Sequence, residues 1–463
     1  MSDIETLKMQ TVAGRLAGHL ADKHLASLPE DAVEAAKRVM LDTLAVAWAA
    51  TDLPGSKPLR DLAMREGGAA DATLIGYGGR VPAGMAALVN GTYAAALDYD
   101  CLHEPSVMHC DAVILPAVLA MAEREGSSGA DFLCALTLGN DVACRLGLSA
   151  RDNPPGWFVS SVYGALAAAA ACAKLLRLDA RGIRNAMGIA YSNAAGTRQA
   201  IIERSYTKRM QTAFAAQTGL QAALLAQAGI NGPAAVLEGQ SGVWKLYAPG
   251  NEALVFDGLG ESYANAEISL KKYPSCAANH CAIEGTSRIV HGNGLKPDDI
   301  AHARITVTPY IEGITGTPFR PGAEPQVDAQ FNLFYSVASV LLRGHLDVSD
   351  IQPPAVLDPA VMPMVERVEM RVDRSLNGKL APVTVEIATR DGRNFREHVP
   401  HLPGAPEAPL SRAEVEAKFR SCAALGVDPL DAQRAQRLIE RVDAVETLPD
   451  MRRFFDGIVR VAA

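Results

Sequence analysis

The sequence predicts a mainly α protein: a large all-helical domain with an inserted, smaller α+β lid domain. Apolar residues recur every three or four positions through most of the 463 residues, and alanine-rich segments such as GALAAAAACAKLL are typical of closely packed helices. Alternation with a period of two appears only between about residues 267 and 400. We therefore predict a helical domain from residues 1–266 and 401–463, with residues 267–400 as the lid domain.

The predicted helices of the first part are bounded by glycine, proline and capping residues. The segment at 160–179 is apolar on all sides, which indicates a central helix, whereas the segment at 130–149 is predicted to be amphipathic. The segment at 72–84 predicts one short extended piece and a turn. Helices are expected at residues 4–24, 32–50, 81–97, 112–125, 130–149, 160–179, 181–196 and 212–229.

The lid region mixes strands and helices. Its predicted strands lie at 269–272, 303–314, 365–373 and 383–399, the last folding into a hairpin at Arg390–Arg393. Helices are predicted after Pro274 and over residues 329–344. Two further helices, at 411–425 and 431–442, complete the helical domain.

The charge balance argues against nucleic acid as a partner. The formal net charge is -8 and no stripe of lysine and arginine is present, whereas phosphate binding needs clustered positive charge. The first ten residues carry no apolar segment, and the longest alanine-rich run is interrupted by Lys174. We therefore expect an acidic cytoplasmic enzyme that binds no membrane.

Cysteine spacing predicts that the protein uses no metal and no cofactor. The eight cysteines form no C-x-x-C pair, so no iron–sulfur or zinc ligand set is indicated. Cys276, His280 and Cys281 come closest, but an isolated C-x3-H-C is more typical of helix packing. The dinucleotide fingerprint G-x-G-x-x-G is also missing in the right context.

Ionisable residues crowd into the segment AAALDYDCLHEPSVMHCD at 94–111. Any one of these side chains has a purely structural alternative as a helix cap or a satisfied hydrogen bond. As a group between two apolar helices they would be partly desolvated, and desolvation shifts pKa values in the way that acid–base catalysis requires. They are Asp98, Asp100, His103, Glu104, His109 and Asp111.

A second stretch rich in ionisable residues, 197–218, has cations before an alanine-rich helix. A cation beside free backbone N–H groups at a helix N-terminus is a candidate carboxylate pocket. For Arg204 or Arg209 taken singly, a solvated loop is the better interpretation.

These segments together resemble the MmgE/PrpD family, which includes 2-methylcitrate dehydratase, cis-aconitate decarboxylase and iminodisuccinate epimerase. The likeness extends over nearly the whole chain and in family order. It is carried by LPEDAVEAAKRVMLDTLAVAWA, AALDYDCLHEPSVMHCDAVILPAVLAMAE, AGTRQAIIERSYTKRMQTAFAAQTG, KKYPSCAANH and DAQFNLFYSVASVLLRG.

The resemblance implies the positions of catalytic and substrate-binding residues. The D-[FY]-D-x-x-H motif and the later histidine fall on Asp98, His103 and His109, and the T-K-x-[ML] motif on Lys208. The remaining matches complete a catalytic set with Lys271 and Tyr335, and a substrate-binding set of Arg209, Gln211, His280 and Trp157. The resemblance also implies a homodimer.

This chain departs from the family pattern at three places. Cys101-Leu102 stands where many members have Asp-Thr, Phe158 where many have a histidine, and Gln211 where several have another histidine. These changes alter the proton relay and the substrate pocket that the resemblance implies.

The leading hypothesis is a cofactor-independent lyase, a dehydratase acting on a small di- or tricarboxylic acid. It would abstract a proton next to a carboxylate while cations hold the developing charge. Epimerisation and decarboxylation are alternatives from the same pocket. A carboxylate-binding protein without catalysis is a further alternative, against which the retained acid, base and lysine positions argue.

Overall fold

The computed structural model describes residues 3–150 and 156–460. By their internal contacts, the residues form two compact units. The first contains Met1–Ala96, Asp100–Ile268 and Arg412–Ala463; the second contains Ser269–Ser411 together with the short segment Leu97–Tyr99. The predicted domain boundaries stay a prediction, because grouping by contact does not establish that either part folds alone.

Helices make up most of the first unit. Before residue 268 they are α1 Asp3–Met9, α2 Val12–Ala21, α3 Glu30–Ala49, α4 Ser56–Glu66, α5 Ala83–Ala96, α6 Asp111–Glu125, α7 Gly129–Ser149, α8 Val159–Leu175, α9 Ala180–Tyr191, α10 Gln199–Ile202, α11 Thr207–Gln227, α12 Val243–Leu246 and α13 Glu252–Phe256.

Burial within the first unit follows the apolar pattern of the sequence. Helix α8 is buried along almost its whole length, as the sequence predicts, and it packs against α7, α9 and α11. Helix α7 was expected to be amphipathic, and that expectation is wrong, because nearly all of its residues are buried, including Asp141 and Arg145. These two side chains form a buried ion pair at 2.9 Å, so the charges that made α7 look amphipathic neutralise each other.

Two short strands interrupt the helices of this unit. Strands β1 Ala72–Thr73 and β2 Arg80–Val81 pair antiparallel, where the sequence predicts an extended piece and a turn. Within the described ranges, no helix is long and apolar enough to cross a membrane.

The second unit combines a four-stranded sheet with helices. Its helices are α14 Ala277–Asn293, α15 Pro309–Thr315, α16 Pro325–Gln330, α17 Leu333–Arg343, α18 Pro353–Val356 and α19 Val361–Val365. Its strands are β3 Ile300–Val307, β4 Val368–Val372, β5 Val383–Thr389 and β6 Asn394–Val399. After this unit the chain returns to the first unit with α20 Arg412–Ala423 and α21 Ala432–Asp443.

The sheet has the order β4-β3-β5-β6, with β3 and β4 parallel and the other pairs antiparallel. Alternate residues of β5 are buried, as expected for a sheet with one face covered. Helix α14 packs against β5 and β6, and it covers that face. The predicted hairpin at Arg390–Arg393 is confirmed, with Gly392 at a positive φ of 88°.

Three predicted elements of this unit differ from the structure: one strand is not formed, one strand is shorter, and one helix is divided into two. Residues 269–272 form no strand, although the Leu270 N–H donates to the Gly404 carbonyl. Strand β3 ends at Val307, because Pro309 begins α15 with the Thr308 hydroxyl as its N-cap. The helix predicted over 329–344 is divided between α16 and α17, since the Asn332 side chain caps a new helix start by accepting from the Tyr335 N–H.

Candidate active site

The chain between α5 and α6 forms a tight loop that fixes His109. His103 and Met108 pair through both of their backbone hydrogen bonds, and they enclose a turn that ends at Val107. Val107 has a φ of 55°, which is uncommon for a β-branched residue and indicates that the surrounding contacts hold the turn closed. Immediately after this turn, the His109 N–H donates to Ser160 Oγ at 3.0 Å, at the start of α8.

The imidazole of His109 is bound to a buried carboxylate. His109 Nδ1 lies 2.8 Å from Asp100 Oδ2. The Asp100 side chain is 1% exposed and that of His109 13% exposed. An ionised Asp100 places a proton on Nδ1, so Nε2 is the nitrogen that can exchange a proton, and the carboxylate stabilises the imidazolium. The Phe158 ring lies near the imidazole, with a distance of 6.1 Å between the ring centroids and an angle of 46° between the ring planes.

Asp111 begins α6 two residues after His109 and is completely buried. Its Oδ1 accepts a hydrogen bond of 2.7 Å from the Asn140 amide of α7. Burial raises the pKa of the Asp111 carboxyl to about 6, against the hydrogen bond from Asn140, and the negative charges of Asp42 and Asp100 add to the rise. The pKa of Asp111 is therefore closer to neutral pH than that of an exposed aspartate.

Asp98 and Lys271 form a second buried pair, within the second unit. Lys271 Nζ donates to Asp98 Oδ2 at 3.0 Å and to the Asp98 carbonyl at 2.6 Å, and both side chains are at most 4% exposed. Asp98 has a φ of 50°, a conformation that aspartate tolerates better than most residues.

Lys208 and Arg209 lie in the first turn of α11 rather than before it, and both are buried. The Arg209 guanidinium donates to the Pro54 carbonyl at 2.7 Å and lies over the Tyr206 ring, so the solvated-loop interpretation of Arg209 is wrong. The expected free N–H groups are also missing from Thr207, Lys208 and Arg209, because Ser205 and Tyr206 accept from all three. What supports a carboxylate site here is the buried lysine and not the helix end.

His280 and Tyr335 are completely buried in the second unit. His280 Nε2 lies 3.2 Å from the Ser275 carbonyl, and its ring meets Tyr273 edge-on at 5.4 Å. The Tyr335 hydroxyl donates to the Asp350 carbonyl. Burial raises the pKa of Tyr335 to about 12, so the phenol is a donor and not a base at neutral pH.

Trp157 and Gln211 belong to a different neighbourhood of the first unit. Trp157 packs on Tyr247, with 4.3 Å between the ring centroids. Gln211 Nε2 donates to the Thr197 carbonyl at 2.7 Å. Gln211 also lines a cavity of about 400 Å³ whose other lining residues are uncharged, Phe214 and Thr218 among them. A carboxylate binds poorly in a cavity without a cation, so this cavity does not support the binding of an acidic substrate.

His103 has the contacts of a structural residue. It is completely buried, its Nδ1 bonds Ser106 Oγ at 2.7 Å, and its Nε2 lies 3.8 Å from Glu267 Oε2. This contact with His103 is also the main cause that lowers the pKa of Glu267. All ten site assignments stay predictions; the structure pairs two of them, Asp98 and Lys271, with each other.

Among residues 3–150 and 156–460, one grouping of donor atoms is close enough to share a metal ion. It consists of His345, Asp347 and Asp350, whose ligand atoms lie within 4.8 Å of one another. Asp350 Oδ2 already accepts from the Asp347 N–H, and Arg343 lies 3.5 Å from the other oxygen. A guanidinium this close opposes a cation, so these residues do not support a metal site.

Sequence reasoning missed the partners that hold the predicted residues. Asp100 belongs to the ionisable cluster of residues 94–111, but the sequence does not assign it to the site. Its spacing from His109 does not predict that the loop folds back and brings the two side chains together. Asp42 is a lone acid in an otherwise apolar stretch of α3, which is a signal of a buried ion pair, and Lys418 lies 2.6 Å from it.

Relatives of known name align over almost the whole chain. The cis-aconitate decarboxylase-like protein oryM of Aspergillus oryzae is 28% identical over 465 residues, which cover 95% of each chain. Cis-aconitate decarboxylase of Aspergillus terreus is 27% identical, with 90% of each chain covered. Cis-aconitate decarboxylase of Homo sapiens is 25% identical, with 95% of this chain and 91% of the human protein covered.

Two family models match consecutive parts of the sequence. The MmgE/PrpD N-terminal domain matches residues 14–254, and the MmgE/PrpD C-terminal domain matches residues 273–444. The two matches span most of the first unit's chain and nearly all of the second. The chain belongs to the MmgE/PrpD family.

Proposed function

We propose that this protein is a cofactor-independent lyase of a small di- or tricarboxylic acid, and that His109 carries the proton of the reaction. The observation that supports this most directly is the 2.8 Å contact between His109 Nδ1 and the buried Asp100 carboxylate. A histidine held in this way has one defined tautomer, and its other nitrogen, Nε2, can give or take a proton.

Buried cations supply the second requirement, which is the stabilisation of a carbanion next to a carboxylate. Lys208 is 7% exposed and Lys271 2% exposed, so an anion near either amine is screened little by water. Lys271 forms an ion pair with Asp98, and we assign to it the role of neutralising the charge of the Asp98 carboxylate. Lys208 is the candidate that binds a substrate carboxylate directly, because it is buried in the first turn of α11 and the resemblance assigns it to the catalytic set.

Decarboxylation is the reaction that the relatives favour, because the three compared above are named cis-aconitate decarboxylases or a protein like them. In this reaction a carbon–carbon bond breaks, carbon dioxide leaves, and the electron pair remains on carbon. The His109 imidazolium then gives its proton to that carbon. The reaction therefore needs His109 protonated at the start.

Dehydration is the second candidate, and the hydrogen-bonded pair of Asp100 and His109 supports it as well. Removal of water needs one group that takes the proton from carbon and another that protonates the departing hydroxide. We assign the first of these roles to His109. Here His109 must begin neutral if it is the base.

The opposite starting states of His109 give a direct test. We expect kcat/KM for a decarboxylase to fall as the pH rises and the protonated form of His109 is lost. For a dehydratase, we expect kcat/KM to fall as the pH drops and the neutral form of His109 is lost. The substrates to test are cis-aconitate, citrate, 2-methylcitrate, malate and aspartate-like acids in deuterium oxide, with products identified by mass spectrometry. Loss of carbon dioxide or of water identifies the reaction.

Two further outcomes decide against these reactions. Deuterium exchange or inversion without loss of mass would identify an epimerase. Binding of an acid by calorimetry, with no turnover and no exchange, would identify a binding protein and reject the proposal. We also propose a homodimer, on the resemblance alone, and light scattering that returns a monomer at micromolar concentration would reject it.

A further inference from the structure

Three buried carboxylates of the first unit lie around the segment that carries His109. They are Asp42 of α3, Asp100 of the loop and Asp111 of α6, and each is at most 1% exposed. Asp111 follows His109 by two residues, so their Cα atoms are at most about 7 Å apart. The negative charges of Asp42 and Asp100 also act on the Asp111 carboxyl. Buried like charges cannot all be ionised without compensation, because water is not present to screen them.

Two of the three carboxylates have a basic partner in direct contact. Lys418 Nζ of α20 lies 2.6 Å from Asp42 Oδ1, and His109 Nδ1 lies 2.8 Å from Asp100 Oδ2. The contact recorded for Asp111 is a neutral one, the Asn140 amide at 2.7 Å. Among the described residues, Asp111 therefore has no basic group in a recorded hydrogen bond or ion pair, and burial raises the pKa of its carboxyl to about 6.

The groups that face this cluster come from four parts of the chain. Helix α3 contributes Asp42 and Thr43, α20 contributes Lys418, and the loop contributes Asp100 and Cys101. Helix α7 contributes Asn140 and also Cys144, whose Sγ lies 3.4 Å from that of Cys110. Burial raises the pKa of the Cys101 and Cys144 thiols well above the usual value, so these cysteines are neutral and add no charge.

We propose that Asp111 is a positioning residue that sets how firmly His109 holds its proton, by adding or withdrawing one negative charge behind the Asp100–His109 pair. No proton passes between Asp111 and His109; the coupling is electrostatic. Ionised Asp111 stabilises the imidazolium, whereas protonated Asp111 does not. The inference rests on His109 as the proton carrier of the proposed function, but the titration of the ring can be measured without any substrate.

The first measurement uses the unaltered protein. NMR of protein labelled at the histidine ring carbons, with the His109 signal assigned from a His109→Gln variant, follows the ring as a function of pH. We expect two steps, because interacting groups share their titrations, one of them near the pH at which Asp111 ionises. A single step that fits one proton, with no carboxyl titrating between about pH 5 and 7 in protein labelled at aspartate, overturns the proposal.

A matched pair of variants gives the second measurement. In Asp111→Asn the Asn140 contact can be kept while the charge is lost, and we expect the His109 midpoint to fall by roughly 1 unit, at the lower end of the effect of a nearby charge. The control is Glu123→Gln, which removes another buried carboxylate of the same helix, bound to Thr73 and Arg80. It lies twelve residues along α6, about 18 Å away, so it should leave the midpoint unchanged.

The two variants also separate this proposal from the proposed function. Equal midpoints in Asp111→Asn and Glu123→Gln would reject the role of Asp111 whether or not the protein turns over an acid. A lower midpoint in Asp111→Asn alone supports the role even if no substrate is found. With a substrate, the same variant should move the pH profile of kcat/KM by the shift seen in the NMR titration.

Discussion

Lys271 Nζ contacts Asp98 twice, at the carboxylate Oδ2 and at the backbone carbonyl, and both residues are almost completely buried. The backbone contact holds the main chain at the residue with the positive φ of 50°. Lys271 therefore holds the backbone at the start of the loop, and it also neutralises the charge of the Asp98 carboxylate.

Removing the lysine alone should destabilise the protein strongly. In Lys271→Met the Asp98 carboxylate is left buried without a cation, and we expect the free energy of unfolding to fall by roughly 3 to 5 kcal/mol. The double variant Lys271→Met with Asp98→Asn removes both charges and should recover most of that loss. Urea unfolding measures both values. A single variant as stable as the unaltered protein would show that the pair does not contribute in this way.

Substitutions at His109 and Asp100 should separate turnover from binding. His109→Gln removes the proton carrier, and we expect kcat to fall by roughly 10² to 10⁴ while the Kd for substrate changes little. Asp100→Asn keeps the shape but removes the counter-charge of the imidazolium, so kcat should fall and the His109 titration should move to lower pH. Single-turnover kinetics and calorimetry measure these quantities. Unchanged kcat in His109→Gln would remove this residue from the mechanism.

The sequence predicted the fold class well because the signals involved are local. Burial on all sides of α8 and the alternation along β5 follow from residues within one segment, as does the hairpin turn at Arg390–Arg393. The division of the predicted helix at Asn332 was missed, since a capping side chain must compete with a continuous apolar pattern.

The residues of the candidate site stay predictions, and the sequence did not predict their contacts. The resemblance assigns Asp98, His109 and Lys271 to the site by motif, but pairing depends on how distant segments meet. Lys271 is 173 positions from Asp98 in sequence, and Lys418 is further still from Asp42. Periodicity and spacing carry no information at that range, so the ion pairs could only be seen in the folded chain.

Lys208 and its neighbour Arg209 should respond differently to substitution. Arg209 bonds the Pro54 carbonyl, so Arg209→Gln leaves a buried acceptor unpaired and should lower stability by roughly 1 to 3 kcal/mol with little change in KM. Lys208→Met should raise KM and lower kcat/KM, because the proposed carboxylate partner is lost, while stability changes less. Thermal unfolding and steady-state kinetics on both variants make the comparison. The reverse pattern would assign the substrate to Arg209.

Asp111 should make stability depend on pH in a direction that is unusual for an acid. Burial raises the pKa of this carboxyl from 3.8 to about 6 in the folded protein, so the unfolded chain loses the proton more readily than the folded one. The stability associated with the neutral form is complete below about pH 4, is lost as the pH rises towards 6, and is absent above that range.

Asp111→Asn keeps the neutral state at every pH, so it should be more stable than the unaltered protein at pH 8 and similar to it at pH 4. A shift of this size corresponds to roughly 3 kcal/mol at most, since each pKa unit is about 1.4 kcal/mol. Urea unfolding at a series of pH values measures the difference between the two proteins. A difference that is constant from pH 4 to 8 would mean that Asp111 acts through packing with Asn140 and not through its charge.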